Sequence, residues 1–374
     1  MNYYAISVNS YSYSIKQYNH TTLQDYWLRV RIKKLNNYNT IEFKYPKYSG
    51  LGKLTENEII ILLKAVIPYL NLSDKKNILL LSKSINNSIS QKIYSSILDG
   101  NIDMQLRIKV WNSILKLNSI KKDINYKEEL SKSLNRKYDQ YSNCPLAIID
   151  LDVTRTQFTE NIEQGRKAIN NILKTCATLV PEVNYCQGMN FIAAFLYRLI
   201  NDEEESFYIM YGLLKNTPFC KIFYNELQKL KVYFSTFESI LKLYLPNINV
   251  FLKSNNIMAN YYSSAWFITL FTSSISKNTN FKCILKIWDY FLLKGWKTIF
   301  NAAYILLEIN EDKIISLRNE NLMHFLSGDI IQIFIFDDPT EFINRFTTFK
   351  IKNKVINNIE KEILQEEQLT REVD

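Results

Sequence analysis

Two short stretches carry the side chains best suited to act on a charged substrate. IIDLDVTRTQF, residues 148 to 158, holds Arg155 between two threonines, and NYCQGMN, residues 184 to 190, holds Gln187 between a cysteine and a glycine. A guanidinium is a permanent cation whose planar fork can donate to anionic oxygens and to a backbone carbonyl together. A carboxamide can accept from a water through its oxygen while donating elsewhere through its nitrogen. Taken alone, Asp152 and Arg155 stand at i and i+3, and a plain ion pair is the simplest reading of that spacing. Arg155 and Gln187 are 32 residues apart, so no single helix or turn can present both, and only a folded scaffold could bring them together.

The composition narrows what that scaffold can be. The chain has 374 residues, 47% of them hydrophobic, enough to bury a core of two or three units. Five cysteines, widely spaced and without a CxxC pair, read as buried small hydrophobes, and the only histidines, His20 and His324, lie in no metal-ligand spacing. Zinc chemistry and Ser/His or Cys/His nucleophiles are therefore poor fits. The longest apolar runs, such as FIAAFLYRLI and IIILLKAVIPYL, are broken by Arg198 or Lys64 and fall short of the roughly 20 residues of a membrane span. The start, MNYYAISVNS, lacks the pattern of a secretory leader, so the expectation is a cytoplasmic protein. The net charge of +9 is concentrated early: residues 1 to 100 hold 13 Lys+Arg against 6 Asp+Glu. Such a balance suits either a solvated surface or attraction to anionic lipid headgroups, which would place the protein peripherally on endomembranes. No RNP motif, zinc finger or arginine-rich run accompanies it, so nucleic acid is not an expected partner.

The pattern along the chain gives four segments. Residues 1–53 are basic and rich in Tyr and Asn, with alternating fragments YWLRVRI and TIEFKYP that suit short strands or partly disordered chain. Residues 54–97 read helical, with Thr55 and Glu58 spaced as a capping box and Ile59, Leu62, Leu63, Val66, Ile67 and Leu70 at helical intervals. Residues 98–345 are almost entirely helical in pattern, with only 8 glycines in the whole chain and short polar connections. A charged helix over 346–374 shows Ile356, Ile359 and Ile363 on one face, which predicts a surface helix whose partner the pattern leaves open.

Five motifs in order carry a resemblance. Arg107 and Trp111 form R-x-x-x-W, residues 149 to 156 read I-x-x-D-x-x-R-T, residues 185 to 190 read Y-C-Q-G-M-N, and AWFITLF (265 to 271) and IWDYFLLKGWKTIF (287 to 300) follow. Any one of these arises by chance; in this order and spacing, from about Leu98 to Asn310, they resemble the TBC domain of Rab GTPase-activating proteins. The resemblance implies an all-α helical array, preceded here by a smaller helical or mixed segment. It also implies a Rab-family small GTPase as partner and a part in regulating vesicle trafficking, with no cofactor of the activator's own, since GTP and Mg²⁺ belong to the GTPase. In such activators Arg155 would stabilise charge building on the phosphoryl oxygens and Gln187 would hold the attacking water, both supplied in trans. Arg107, Trp111, Asp152, Thr156, Tyr185, Gly188, Asn190 and Asp289 match supporting positions of the family, with Trp111, Trp266 and Trp288 read as core anchors. Gly188 suits either a tight backbone beneath an approaching partner loop or a turn or packing glycine.

Two departures stand out. The family often has Gly-Ile-Pro before the arginine of R-x-x-x-W, where this chain has Gly100, Asn101, Ile102 and Asp103; a glycine commonly precedes the tyrosine matched by Tyr185, where this chain has Asn184. Residues 65 to 90, AVIPYLNLSDKKNILLLSKSINNSIS, resemble the F-box, which implies a Skp-type adaptor of ubiquitin ligases as a second partner, against the plainer reading of a helical pair. The rival functions are a non-catalytic TBC-fold scaffold, whose usual sign is loss of the arginine or glutamine, and an F-box-type adaptor that binds a small GTPase.

Overall fold

The computed structural model describes residues 91, 94–95, 98–99, 102–137, 144–156, 161–273, 281–331, 340–349 and 351–366, the backbone of 367–373, and the backbone of four strands before residue 45. The helical pair expected between Thr55 and Ser90, with its F-box resemblance, lies outside the described residues. The chain divides into two compact units, Met1–Ser113 and Ile114–Asp374.

In the first unit the alternating sequence becomes an antiparallel meander: β1 (Tyr3–Asn9), β2 (Ser12–Tyr18), β3 (Tyr26–Leu35) and β4 (Tyr38–Lys44), hydrogen-bonded in that order. The YWLRVRI and TIEFKYP fragments thus fall largely within β3 and β4. The register places apolar residues opposite one another, Ile6 with Ile15, Ile15 with Leu28, Val30 with Phe43 and Ile32 with Ile41, the cross-strand pairing that favours a sheet. Later in this unit, helix α1 (Met104–Ile114) starts at Asp103, whose carboxylate accepts from the Leu106 amide at 2.6 Å. That acceptor is an N-cap, worth typically about 1 kcal/mol. Asp103 therefore starts the helix where the family often uses Gly-Ile-Pro.

The second unit is helical, with no strand among its described residues. Its elements are α2 (Leu117–Asp123), α3 (Tyr126–Leu134), α4 (Pro145–Arg155), α5 (Ile162–Leu179), α6 (Met189–Ile200) and α7 (Glu203–Asn216). A 3₁₀ turn (Pro218–Phe223) leads to α8 (Gln228–Tyr244), α9 (Pro246–Ser254), α10 (Ala259–Ile268), α11 (Lys282–Lys294) and α12 (Lys297–Ile309). Short helices α13 (Glu311–Ser316) and α14 (Asn319–His324), a π turn (Phe325–Asp329), α15 (Thr340–Thr348) and α16 (Asn353–Val373) complete it. Local signals explain the ends: Asn125 caps α3, Asp202 caps α7 ahead of Glu203, Glu204 and Glu205, and prolines open α4 and α9.

Aromatic rings fill the core between α6, α8, α10, α11 and α12. Phe195 meets Trp288 at 4.9 Å, Tyr233 meets Trp296 at 4.6 Å, and Phe267 meets Phe300 at 5.7 Å between ring centres. Such pairs add about 0.5–1.5 kcal/mol each beyond the area they bury. Trp266 and Trp288 are fully buried, and the Trp288 indole N–H donates to the Leu270 carbonyl at 3.3 Å, tying α11 to the end of α10.

The C-terminal helix finds its partner within the chain. α16 packs on α8, with Ile356 and Ile359 buried and Lys229 paired to Glu360 at 2.6 Å. Just before it, Asn301 of α12 donates to the Phe349 carbonyl at 2.8 Å and accepts from the Ile351 amide at 3.2 Å, which fixes where α16 begins.

Candidate functional site

The site forms where the C-terminal end of α4 meets the loop that opens α6. The apolar face of α4, with Leu146, Ala147, Ile149 and Val153 buried, pins the helix to the array and turns Arg155, its last residue, to solvent. α5 braces α4 along its length. Asp150 accepts from Asn170 and pairs with the buried Lys174, each at 2.6 Å. Arg166 donates to the Thr154 carbonyl at 2.6 Å, satisfying one of the carbonyls that a helix end leaves open.

The Gln187 loop is shaped by backbone conformations that few residues adopt. Asn184 has φ +56°, in the left-handed region that glycine and asparagine tolerate best, which explains how asparagine serves where the family commonly has glycine. Gly188 has φ +107° and begins α6 against the end of α10. A Cβ there would stand 2.8 Å from Ile268 Cγ2 and 3.3 Å from Thr269 Cγ2. Conformation and close packing both require glycine, so the AWFITLF segment supplies the wall on which the Gln187 loop rests. Replacing Gly188 with alanine is expected to destabilise the protein by about 1–3 kcal/mol, read as a lowered midpoint of thermal unfolding. An unchanged midpoint would mean that the loop adopts another conformation.

A buried hydrogen-bond network joins the two segments. The Tyr185 hydroxyl donates to Asp152 Oδ2 at 2.8 Å, with Asn190 Oδ1 a longer contact at 3.4 Å. Asn190 accepts from the Gly188 amide at 3.1 Å and donates through Nδ2 to Thr156 Oγ1 at 2.9 Å, while Thr156 donates to the Asp152 carbonyl at 2.8 Å. Asp152, Thr156 and Asn190 are all buried. Burial, then the bond to Asp152, push the Tyr185 phenol well above its ordinary pKa, so it stays a neutral donor. The same burial and the same carboxylate raise the Cys186 thiol, which opposes a nucleophilic role beside Gln187.

Arg155 and Gln187 themselves are exposed, and among the described residues neither has a hydrogen-bond or ion-pair partner. The ion pair that spacing suggested between Asp152 and Arg155 does not form; the Asp152 carboxylate turns inward to Tyr185. The arrangement thus offers solvent a free guanidinium and a free carboxamide, each next to a residue of one buried network. Such a pair can embrace an anionic group and a water brought by another molecule.

Of the other positions read from the sequence, Asp289 is fully buried in α11 beside Trp288. Arg107 and Trp111 belong to α1: Trp111 is fully buried, and Arg107 Nη1 lies 3.4 Å from Met104 Sδ. Sequence reasoning missed Arg166, Asn170 and Lys174, which the mixed polar and apolar sequence of α5 does not set apart from their neighbours, and it did not single out Ile268 and Thr269 within AWFITLF. Among the described residues no group of His, Cys, Asp and Glu could hold a metal ion, and no helix is long and apolar enough to cross a membrane.

Comparison with known proteins agrees with this geometry. The model of the Rab-GTPase-TBC domain matches residues 104–315. The chain is 27% identical over 291 residues to the Rab GTPase-activating protein tbc-11 of Caenorhabditis elegans, covering 75% of this chain and 30% of that protein. It is 26% identical over 235 residues to the Ecotropic viral integration site 5 ortholog of Drosophila melanogaster, covering 61% and 28%. The chain therefore spans less than a third of the length of these curated relatives. Among solved structures, the Ypt/Rab-GAP domain of Gyp1p superposes with a TM-score of 0.56 at 14% identity, covering 77% of this chain and 96% of that one. The Chlamydomonas flagellar RabGAP TBC domain gives 0.53 at 17% identity, covering 76% and 94%. At those identities the structures speak to the helical fold. The family match takes in Arg155, Gln187, the network between their segments and the α10 wall beneath Gly188, and on it this chain belongs to the Rab-GTPase-TBC domain family.

Proposed function

We propose that this chain is a GTPase activator for a Rab-family small GTPase and supplies Arg155 and Gln187 in trans to the partner's nucleotide. One observation carries the reading: the two groups able to act on a phosphoryl transfer are left exposed and unbonded, while the residues flanking them are locked together. Phosphoryl transfer needs little covalent chemistry from a protein; it needs a positioned water and charge stabilisation. Arg155 donates to the γ-phosphoryl and leaving-group oxygens as their negative charge rises. Gln187 accepts a hydrogen bond from the attacking water and holds it in line. GTP and Mg²⁺ are bound by the GTPase, so the activator needs no cofactor and turns over no substrate of its own. By returning its partner to the GDP state it would regulate vesicle traffic.

The reading is tested by single-turnover GTP hydrolysis across a panel of Rab GTPases. Stimulation of one or a few members identifies the target. GTP-dependent binding without stimulation across the panel would make the chain a TBC-fold scaffold instead.

We also place its work at a cytoplasmic membrane surface, through the basic balance of residues 1–100. Neutralising Arg29, Arg31, Lys33 and Lys34 in β3 to glutamine is expected to weaken cosedimentation with phosphatidylserine vesicles severalfold at low salt and little at high salt. Equal binding by the variant would retire the lipid contact. The Skp-type adaptor remains a proposal on the sequence of residues 65 to 90 alone, and a pull-down with that adaptor decides it.

A further inference from the structure

The eight large hydrophobic side chains most exposed among the described residues include Leu151, at 50%, four residues before Arg155 on α4, and Ile162, at 49%, the first residue of α5. Leu151 precedes Arg155 by one helical turn, about 6 Å along the axis of α4. Ile148, half-buried, lies three residues before Leu151, so Ile148, Leu151 and Arg155 make one stripe on the face of α4 opposite its buried residues. Ile162 opens α5 one turn before Arg166, and Arg166 is bonded to the Thr154 carbonyl, which brings the start of α5 alongside the end of α4. Each of the two helix ends that meet near Arg155 thus carries one exposed apolar side chain.

We infer that Leu151 and Ile162, with Ile148 at the margin, are the apolar contact that seats the GTP-bound small GTPase, taking an apolar patch of its surface beside the γ-phosphate. The inference rests on the activator reading above. Continuity with Arg155 selects the occupant: a guanidinium that reaches the γ-phosphate draws the protein surface around that phosphate onto the same turn of α4, where Leu151 is the next side chain. Burial of apolar area does not depend on charge that appears only in the transition state, so this contact strengthens substrate and transition-state complexes equally. It sets how much GTPase is needed for half-maximal stimulation, and the choice of partner, without setting the maximal rate.

The experiment measures stimulated hydrolysis against GTPase concentration for the full chain and for Leu151→Ala, Ile162→Ala and the double variant, with melting temperatures beside them. Each single variant is expected to raise KM about fivefold to twentyfold, with kcat within about twofold and the melting temperature unchanged. Leu151→Met, which keeps the apolar bulk, restores most of the affinity. If the wild type stimulates a GTPase and the double variant matches its KM, the inference falls and the activator reading stands. A loss of kcat or of melting temperature in place of KM would mark these residues as structural and also overturn it. If the wild type binds GTP-loaded GTPase without stimulating it, Kd takes the place of KM in the same comparison. A wild type that neither stimulates nor binds any member of the panel removes both readings together.

Discussion

Replacing Arg155 with alanine is expected to lower the stimulated rate of GTP hydrolysis by about 10³ to 10⁵, the range an arginine supplied in trans contributes. The fold should not notice the change. Arg155 is the last residue of α4, exposed, with no partner among the described residues, and surface substitutions of that kind usually stay within about 0.5 kcal/mol. Activity and melting temperature therefore separate: a variant that loses both would show that the guanidinium holds the α4 end in place. Arg155→Lys is the sharper variant. It keeps the charge but loses the planar fork, so a rate close to that of alanine would show that bidentate geometry matters more than charge. Rapid-quench or phosphate-sensor measurements at saturating GTPase read these effects directly.

Gln187→Ala comes second, with an expected loss of about 10² to 10³ in kcat, the scale measured when one preorganised polar group is removed from a site of developing charge. Binding of the GTP-loaded partner should change little, because the carboxamide is one exposed side chain and the loop beneath it is held by other residues. Gln187→Glu tests the assigned role more closely. A carboxylate can still accept from the water, but it sets a negative charge beside a phosphoryl group that is gaining one, so it should be no faster than alanine. Full activity in the alanine variant would remove Gln187 from the reaction and leave Arg155 as the sole contributed group.

Much of the second unit was legible because its signals are local. Apolar spacing and short polar connections act within one or two turns, and the helices follow them; the caps at Asn125 and Asp202 and the prolines that open α4 and α9, which the structure brings out, are local signals of the same kind. The five motifs, read together, pointed to the family that the comparison shows. The partner of Asp152 was not legible. Its nearest basic residue in sequence is Arg155, but its hydrogen bond goes to Tyr185, 33 residues away, a contact that only the packing of α4, α5 and α6 creates. Gly188 was half legible: its type announced a tight place, yet the side chains that make it tight, Ile268 and Thr269, belong to a helix about 80 residues on. For α16 the apolar stripe was visible and its cover on α8 was not, because a stripe states a need and not what meets it. In residues 1–53 alternation suited strands, and four strands formed, but nothing in the alternation fixed which would pair.

The bond from the Gly188 amide to Asn190, and from Asn190 on to Thr156, has a kinetic consequence. A loop that carries an acting side chain must be ordered at some stage, and here that ordering is completed when the chain folds. For the activator proposed above, what would remain for each encounter with a GTPase is the settling of two side-chain rotamers, Arg155 and Gln187, on a backbone already in place. Under the proposed function, such an activator would act on a short-lived complex, since no closure of the Gln187 loop would stand between collision and chemistry, and it would let its partner go as quickly.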